Sequence, residues 1–189
     1  MKNQKHLILL SLVVLALIPL ACTIFVGGPQ YPAASIPVST EAVGNLDQML
    51  QVAQTAAAQS GTLTLSINET QLTSLLAMKL DSQPDPFIQN PQVYLNNGEI
   101  QVFGRATKGN LQANVRIVLT TSIDSEGQPV ITVTSADFGP FPAPQGLNNT
   151  VSAFIDQAFT GVFGPAATGL RLESINIANG IMTLTARVK

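Results

Sequence analysis

The chain has 189 residues, of which 46% are hydrophobic and 11% are charged, a composition that indicates a folded protein rather than a disordered one. A net charge of −2 argues against nucleic-acid binding, which needs a basic surface to neutralise phosphates. The single Cys excludes an internal disulfide and a cysteine-based zinc site. The length favours one domain.

The N-terminus has the pattern of an export signal. A basic start with Lys2 and Lys5 is followed by fifteen uncharged residues, 7–21, and then by Cys22. The sequence Leu20-Ala21-Cys22 resembles the signal of bacterial lipoproteins, in which cleavage before the Cys is followed by acylation of its thiol and amine. This resemblance implies a signal peptide over residues 1–21 and a lipid on Cys22.

The same residues also allow an uncleaved anchor. The apolar run continues to Val26, which gives about 20 residues from Leu7, enough to span a bilayer. Lys2 and Lys5 would then stay in the cytoplasm by the positive-inside rule. With either alternative, everything after residue 28 is expected outside the cytoplasm, in the bacterial cell envelope and attached to the membrane.

The part that follows divides into a tether and a folded region. Residues 22–44 hold the Cys and a proline-rich stretch of small residues, which predicts an extended tether. Residues 45–189 predict a single α+β domain with the element order α-β-α-β-β-β-β-α-β-β. Its first helix begins at Asn45, where apolar residues start to recur at helical spacing, and Gly61 is a suitable stop.

Two elements with clear local signals come next. Strict alternation over residues 62–67 predicts a half-buried strand. Asn68 has the position of a helix N-cap, with Gln71 at the capping-box position. The helix that follows has one apolar face and should end before Pro84. That face consists of Leu72, Leu75, Leu76 and Leu80.

The next region is mainly β. The sequence Asn96-Asn97-Gly98 predicts a hairpin between strands over 92–95 and 99–103. Alternation over thirteen residues, 111–123, predicts a strand about 43 Å long. It should return through a turn into a second long strand over 130–138. Together these patterns predict a long, strongly twisted antiparallel sheet.

An apolar helix and a last hairpin complete the pattern. Residues 147–163 recur at helical spacing with a single charge, so the sheet is expected to curl around this helix. Strands over 170–177 and 181–188 join at Asn179-Gly180. Because the apolar positions of the first of these strands change face, we expect a β-bulge near Glu173-Ser174.

The residues after Cys22 carry little catalytic chemistry. They contain no His, which excludes Ser-His-Asp and Cys-His nucleophile systems and histidine metal sites. Nucleotide-binding glycine motifs and hydrolase serine motifs are also missing from the sequence. Of these enzyme classes, the sequence still allows a hydrolase built on paired carboxylates, but its acidic residues are scattered singly along the chain. We therefore expect no enzyme, no cofactor and no metal.

The order of elements resembles the tubular lipid-binding (TULIP) superfamily, and more narrowly the small bacterial envelope proteins of the YpmS-like and LmeA-like kinds. The segments that carry this resemblance are 63–80, 93–104 (VYLNNGEIQVFG) and 138–144 (FGPFPAP). The resemblance implies a curved sheet wrapped on a helix, with an apolar groove that shields acyl chains.

Two functional hypotheses follow. The first is a non-enzymatic lipoprotein, tethered to the membrane through Cys22 or an N-terminal anchor, that binds a lipid or other apolar ligand. Its groove should lie between helix 147–163 and the hairpin 111–138. The second is a structural or protein-binding lipoprotein with a filled core, whose protein partners the sequence does not specify. The residues expected to line the groove are Val115, Ile117, Leu119, Phe154, Ile155, Phe159 and Phe163.

Overall fold

The structure is a computed structural model that describes residues 23–147 and 170–188, together with residues 149 and 153. This part of the chain is α+β, with two long helices and a strongly curled mixed sheet that forms a half-barrel. The elements are, in chain order, β1 (Ile24–Phe25), α1 (Thr40–Ser60), β2 (Thr62–Asn68), α2 (Glu69–Asp81), β3 (Gln89–Asn96), β4 (Glu99–Lys108), β5 (Leu111–Ile123), β6 (Pro129–Asp137), β7 (Leu170–Ala178) and β8 (Ile181–Val188).

Two sheets make up the β structure. In the first, β3, β4 and β5 are adjacent and antiparallel, and β6 and β1 both pair with the outer edge of β5. The sheet is mixed, and not purely antiparallel as predicted, because β1 runs parallel to β5. The second sheet has the antiparallel order β2-β8-β7.

The second sheet closes one end of the first. The amide of Gly98, in the β3–β4 turn, donates to Ile177 O over 3.0 Å, and the amide of Gly180 donates to Leu95 O over 3.0 Å. Near the β5–β6 turn, the amide of Leu172 donates to Gly127 O over 2.9 Å. Strand β7 therefore lies across the β3–β4 and β5–β6 turns of the first sheet.

Strand β5 is the long central strand that the alternation predicts. It covers the thirteen residues Leu111–Ile123, a length of ~40 Å. Its odd-numbered residues Ala113, Val115, Ile117 and Leu119 are buried on the inner, concave face of the sheet. This face forms one apolar core together with the inner residues of β3 and β4.

Helix α2 seals the free edge of β3 with polar side chains. Thr73 Oγ1 accepts a hydrogen bond from Val93 N and Glu69 Oε1 accepts one from Leu95 N, both at 2.9 Å. These amides belong to an edge strand, so no neighbouring strand binds them. The predicted capping box is confirmed: Gln71 N donates to Asn68 Oδ1, and Asn68 N donates to Gln71 Oε1.

The N-terminal segment, predicted as an extended tether, makes specific contacts with the first sheet. We call residues 26–39 the strap, because they cross the outer face of the first sheet from β5 over β4 and β3 to α2. Asn114 Nδ2 donates to Pro29 O over 3.1 Å, Tyr31 packs edge-on against Phe103 of β4, and Gln92 Nε2 donates to Ile36 O over 3.2 Å. The outer face carries polar and aromatic side chains that bind the strap. The composition of the strap does not predict this binding, because these side chains belong to β3, β4 and β5.

The first helix also begins earlier than predicted. Helix α1 starts at Thr40 and not at Asn45, because the Ser39 hydroxyl accepts from Ala42 N and caps it. Ser39 N in turn donates to Ser74 Oγ over 2.9 Å, which fixes the start of α1 against α2. The predicted stop is confirmed, since Gly61 has a φ of 73°, a conformation that favours glycine.

Both glycine hairpins and the bulge are confirmed. Turns join β3 to β4 at Asn97-Gly98 and β7 to β8 at Asn179-Gly180. The register of β7 against β8 shifts between Leu172 and Ser174, where the change of apolar face predicts it. Of the predicted helix 147–163, Leu147, Asn149 and Ala153 are helical, and its other residues lie outside those described.

Neither α1 nor α2, the long helices of the described residues, has the apolar length required to cross a membrane.

Replacing Thr73 by Val should lower the free energy of unfolding by about 1–3 kcal/mol, because it leaves the buried amide of Val93 without an acceptor while keeping the side-chain volume. Chemical denaturation measures this change. The matched control is Thr70→Val in the same helix, which is half-buried and should change stability by less than about 0.5 kcal/mol. Equal stability of the two variants would contradict the edge-sealing role of Thr73.

Candidate functional site

The concave side of the curled sheet encloses an apolar cavity of about 200 Å³, which we call the inner cavity. Nineteen described residues line it, and Thr121 is the only one of them with a polar side chain. They are Ile67, Leu72, Leu75, Leu76, Leu80, Phe87, Ile88, Val93, Ile100, Val102, Ile117, Leu119, Thr121, Pro129, Ile131, Leu172, Ile175, Met182 and Leu184.

The two kinds of secondary structure place these side chains differently. Along β3, β4 and β5 the alternation of the strand sends every second residue inward, which brings Val93, Val102 and Ile117 to the cavity wall. On α2 the orientation follows from the seal on β3, which turns Thr73 toward the edge strand. Leu72 and Leu76 lie within about 100° of Thr73 around the helix axis, so they face the cavity.

The cavity has a rim of partly exposed apolar side chains. Leu75 and Leu76 of α2, and Pro129 and Ile131 of β6, all line the cavity but are only half-buried. Helix α2 lies beyond β3 at one edge of the sheet, and β6 lies at the other edge. Within the described part of the chain, access to the cavity therefore lies between α2 and β6.

The structure brings some of the predicted groove residues to the cavity. Ile117 and Leu119 line it, whereas Val115 is fully buried in the adjoining core and does not. The hairpin 111–138 thus supplies one wall, through β5 and β6. The predicted residues Phe154, Ile155, Phe159 and Phe163, and the lipidation residue Cys22, lie outside the described residues.

In the described residues, the wall opposite the hairpin is α2 together with the second sheet. The leucines of α2 are recognisable in the sequence as one apolar face, but their pattern does not distinguish a cavity wall from a filled core. Ile175, Met182 and Leu184 reach the cavity only because the second sheet docks across the end of the first. That docking depends on contacts between distant parts of the chain, which alternation alone does not reveal.

The described residues that line the inner cavity offer apolar contacts, apart from the Thr121 hydroxyl. No titratable side chain is among the lining residues, and the described residues contain no group of three or more His, Cys, Asp or Glu that could hold a metal. Dry cavities of about 150 Å³ lined by Leu, Ile and Phe bind small hydrocarbons. Transfer of each methylene from water to such an environment contributes about 0.8 kcal/mol.

A second concavity, the outer cleft, lies on the opposite face of the first sheet beside the strap. Its volume is about 470 Å³, and its lining mixes polar and apolar residues, among them Pro32, Glu69, Tyr94 and Phe103. The rings of Tyr94 and Phe103 meet edge-on with centroids 5.7 Å apart. The guanidinium of Arg116 lies 5.7 Å from the Phe103 centroid on the same face. The described lining of the outer cleft is thus aromatic and polar, with Glu69 as its one charged side chain, and differs in chemistry from the inner cavity.

Both tyrosines on this face have perturbed acidities. Burial raises the pKa of Tyr31 above its ordinary 10.0, the nearby Arg105 guanidinium partly offsets this, and Tyr94 adds a smaller increase. The pKa of Tyr94 is raised by burial and then by the Glu69 carboxylate. The folded protein therefore favours the neutral phenols that the strap contacts require, in which Tyr31 donates to Asn90 O over 2.6 Å.

No protein-family model matches the chain, and no curated protein sequence matches it.

Titration of the two tyrosines tests the packing of the strap. The chain contains two Tyr and no Trp, so the absorbance of the phenolates reports Tyr31 and Tyr94 alone. We expect both midpoints above 10.0 in the folded protein. Because the folded state then holds protons that the unfolded chain releases, stability should fall as the pH rises above 10.0. The variant Tyr31→Phe isolates Tyr94, and midpoints equal to those of the denatured chain would contradict the docked strap.

Proposed function

We propose that this chain is a membrane-tethered lipoprotein of the bacterial envelope that binds a lipid or another apolar ligand without catalysing a reaction. The observation that carries this proposal is the inner cavity, in which eighteen of nineteen lining residues are apolar and several stay half-buried. An apolar group that displaces water from half-buried leucine and isoleucine side chains on a cavity wall lowers the free energy, because apolar surface is removed from water.

The size of the cavity favours a hydrocarbon chain over a bulky ligand. Sites for drug-sized molecules usually enclose about 300–1,000 Å³, whereas this cavity encloses about 200 Å³. A single flexible chain, or part of one, fits that volume. Since the rim lies between α2 and β6, a polar head group would remain at the rim while the chain lies along the inner faces of the strands.

Catalysis is not part of the proposal. Acid–base or nucleophilic chemistry needs a titratable or nucleophilic group within hydrogen-bond reach of the reacting atoms. Among the described lining residues the one polar side-chain group is the hydroxyl of Thr121, and the chain offers no His after Cys22 to activate it. This supports binding, and argues against the carboxylate hydrolase that the sequence leaves open.

The membrane tether rests on the sequence. An apolar run over residues 7–21 precedes Cys22, in the arrangement that resembles a lipoprotein signal. A half-barrel with an apolar interior is compatible with the TULIP-like architecture that the element order resembles. On this proposal the protein is held at a membrane and holds an acyl chain in the curl of its sheet.

Binding of cis-parinaric acid, a linear fatty acid whose polyene chain is fluorescent, tests the cavity directly. Residues 23–189 are purified without detergent, and folding of each variant is verified by circular dichroism. We expect saturable binding that a saturated fatty acid such as laurate displaces. Ile131→Trp should fill the cavity and weaken the binding of cis-parinaric acid at least ~10-fold, which corresponds to about 1.4 kcal/mol.

The matched control is Val130→Trp, since Val130 is the neighbouring residue, is 41% exposed and does not line the cavity. Its affinity for cis-parinaric acid should equal that of the parent chain. Mass spectrometry of a solvent extract then identifies any ligand that co-purifies. No saturable binding by the parent, with no apolar molecule in the extract, would contradict the proposal and favour the structural or protein-binding lipoprotein with a filled core.

A further inference from the structure

One corner of the first sheet exposes apolar side chains on both of its faces. Ile24 is 59% exposed, Phe25 is 57% exposed and Leu111 is 39% exposed. Ile24 pairs with Leu111 in the parallel β1–β5 register, so these two lie side by side, while Phe25 lies on the opposite face. We call these three residues the apolar corner.

The apolar corner is fixed to the body of the protein. The amide of Ile24 donates to Asn110 O over 2.7 Å, and the amide of Val26 donates to Gln112 O over 2.8 Å. The amide of Asn114 donates to Gly27 O over 2.9 Å, which extends the pairing by one more bond. Residues 24–27 therefore cannot move away from β5 without breaking three backbone hydrogen bonds.

The surface around the apolar corner adds to its apolar character. The loop 138–146 carries no charge, and its residues Pro140, Pro142 and Pro144 are exposed. This loop adjoins the strap, because Gly139 packs so closely on Gly28 that a Cβ there would approach Gly28 Cα to 2.7 Å. Lys108, the last residue of β4 and the partner of Leu111 in the β4–β5 register, is exposed and can meet anionic head groups.

We infer that the apolar corner lies against the lipid bilayer and sets the orientation of the protein on it. A bilayer, rather than another protein, is indicated because Cys22, the residue that the lipoprotein-like signal assigns to acylation, precedes Ile24 by only two residues. A chain held in the membrane at Cys22 has no length of tether that could carry Ile24 far from the lipid surface. This inference rests on the membrane attachment in the proposed function, and not on ligand binding.

The orientation has a defined geometry. Strand β5 begins at the apolar corner and runs ~40 Å to the second sheet. With the corner at the bilayer, the second sheet and α1 stand at the far end of the molecule. Val52 of α1, which is 69% exposed, then faces the aqueous phase well away from the lipid.

Tryptophan quenching tests the orientation, because the natural chain contains no Trp. The full chain carrying Leu111→Trp is reconstituted into vesicles of phosphatidylcholine and phosphatidylglycerol with brominated acyl chains. Residue 111 is distant in sequence from the membrane attachment, so it reports the position of the body and not of the tether. We expect it to lose about half of its emission, as a side chain roughly 5–10 Å into the interface should.

The control is Val52→Trp, which should lose less than about a tenth of its emission in the same vesicles, consistent with a position outside the interface. Pro142→Trp is a second reporter at the membrane end, for use if Leu111→Trp does not fold. Unquenched emission at residues 111 and 142 in a chain that sediments with the vesicles would overturn the orientation alone. A chain that stays in the supernatant would overturn the membrane attachment as well. Neither result bears on the binding of cis-parinaric acid in the inner cavity.

Discussion

The seal on the free edge of β3 is the constraint on which the rest of the structure depends. Edge strands carry unpaired amides, and here Thr73 and Glu69 of α2 bind two of them. This use of polar residues fixes the rotation of the helix, and Leu72, Leu75 and Leu76 of the same helix line the inner cavity. Helix α2 thus both protects the free edge of β3 and forms one apolar wall of the inner cavity, through two adjacent rows of residues.

The strap has the complementary role on the outer face. Gln92 is buried there with its amide group bonded to Ile36, and Phe103 is buried between Tyr31 and Tyr94. Because the strap covers the convex side, the curl of the sheet has a packed exterior while its interior keeps unfilled space. The outer face therefore carries the polar and aromatic residues that contact the strap. The inner face carries the aliphatic residues that line the inner cavity.

Much of the fold can be predicted from local patterns. The capping box at Asn68, the long strand β5 and the bulge before Ser174 each rest on signals within a few residues, and the structure confirms all three. The start of α1 was predicted incorrectly and the docking of the strap was not predicted, because both depend on Gln92 and Ser74, which are distant in sequence. For the cavity, Ile117 and Leu119 could be predicted from alternation, whereas the contribution of the second sheet required its docking, and Val115 is in the core beside it.

The pairing of β1 with β5 also decides how the protein would respond to mechanical load. A pull applied at residue 23 acts on the backbone hydrogen bonds of Ile24, Val26 and Asn114 before it reaches either helix. Beyond them the strap continues across three strands to Ser39, so the load spreads over the outer face before it arrives at the start of α1. The apolar core and the inner cavity lie behind this series of contacts, which would have to open one after another. Tension along the N-terminal connection is thereby separated from the volume in which a ligand would lie.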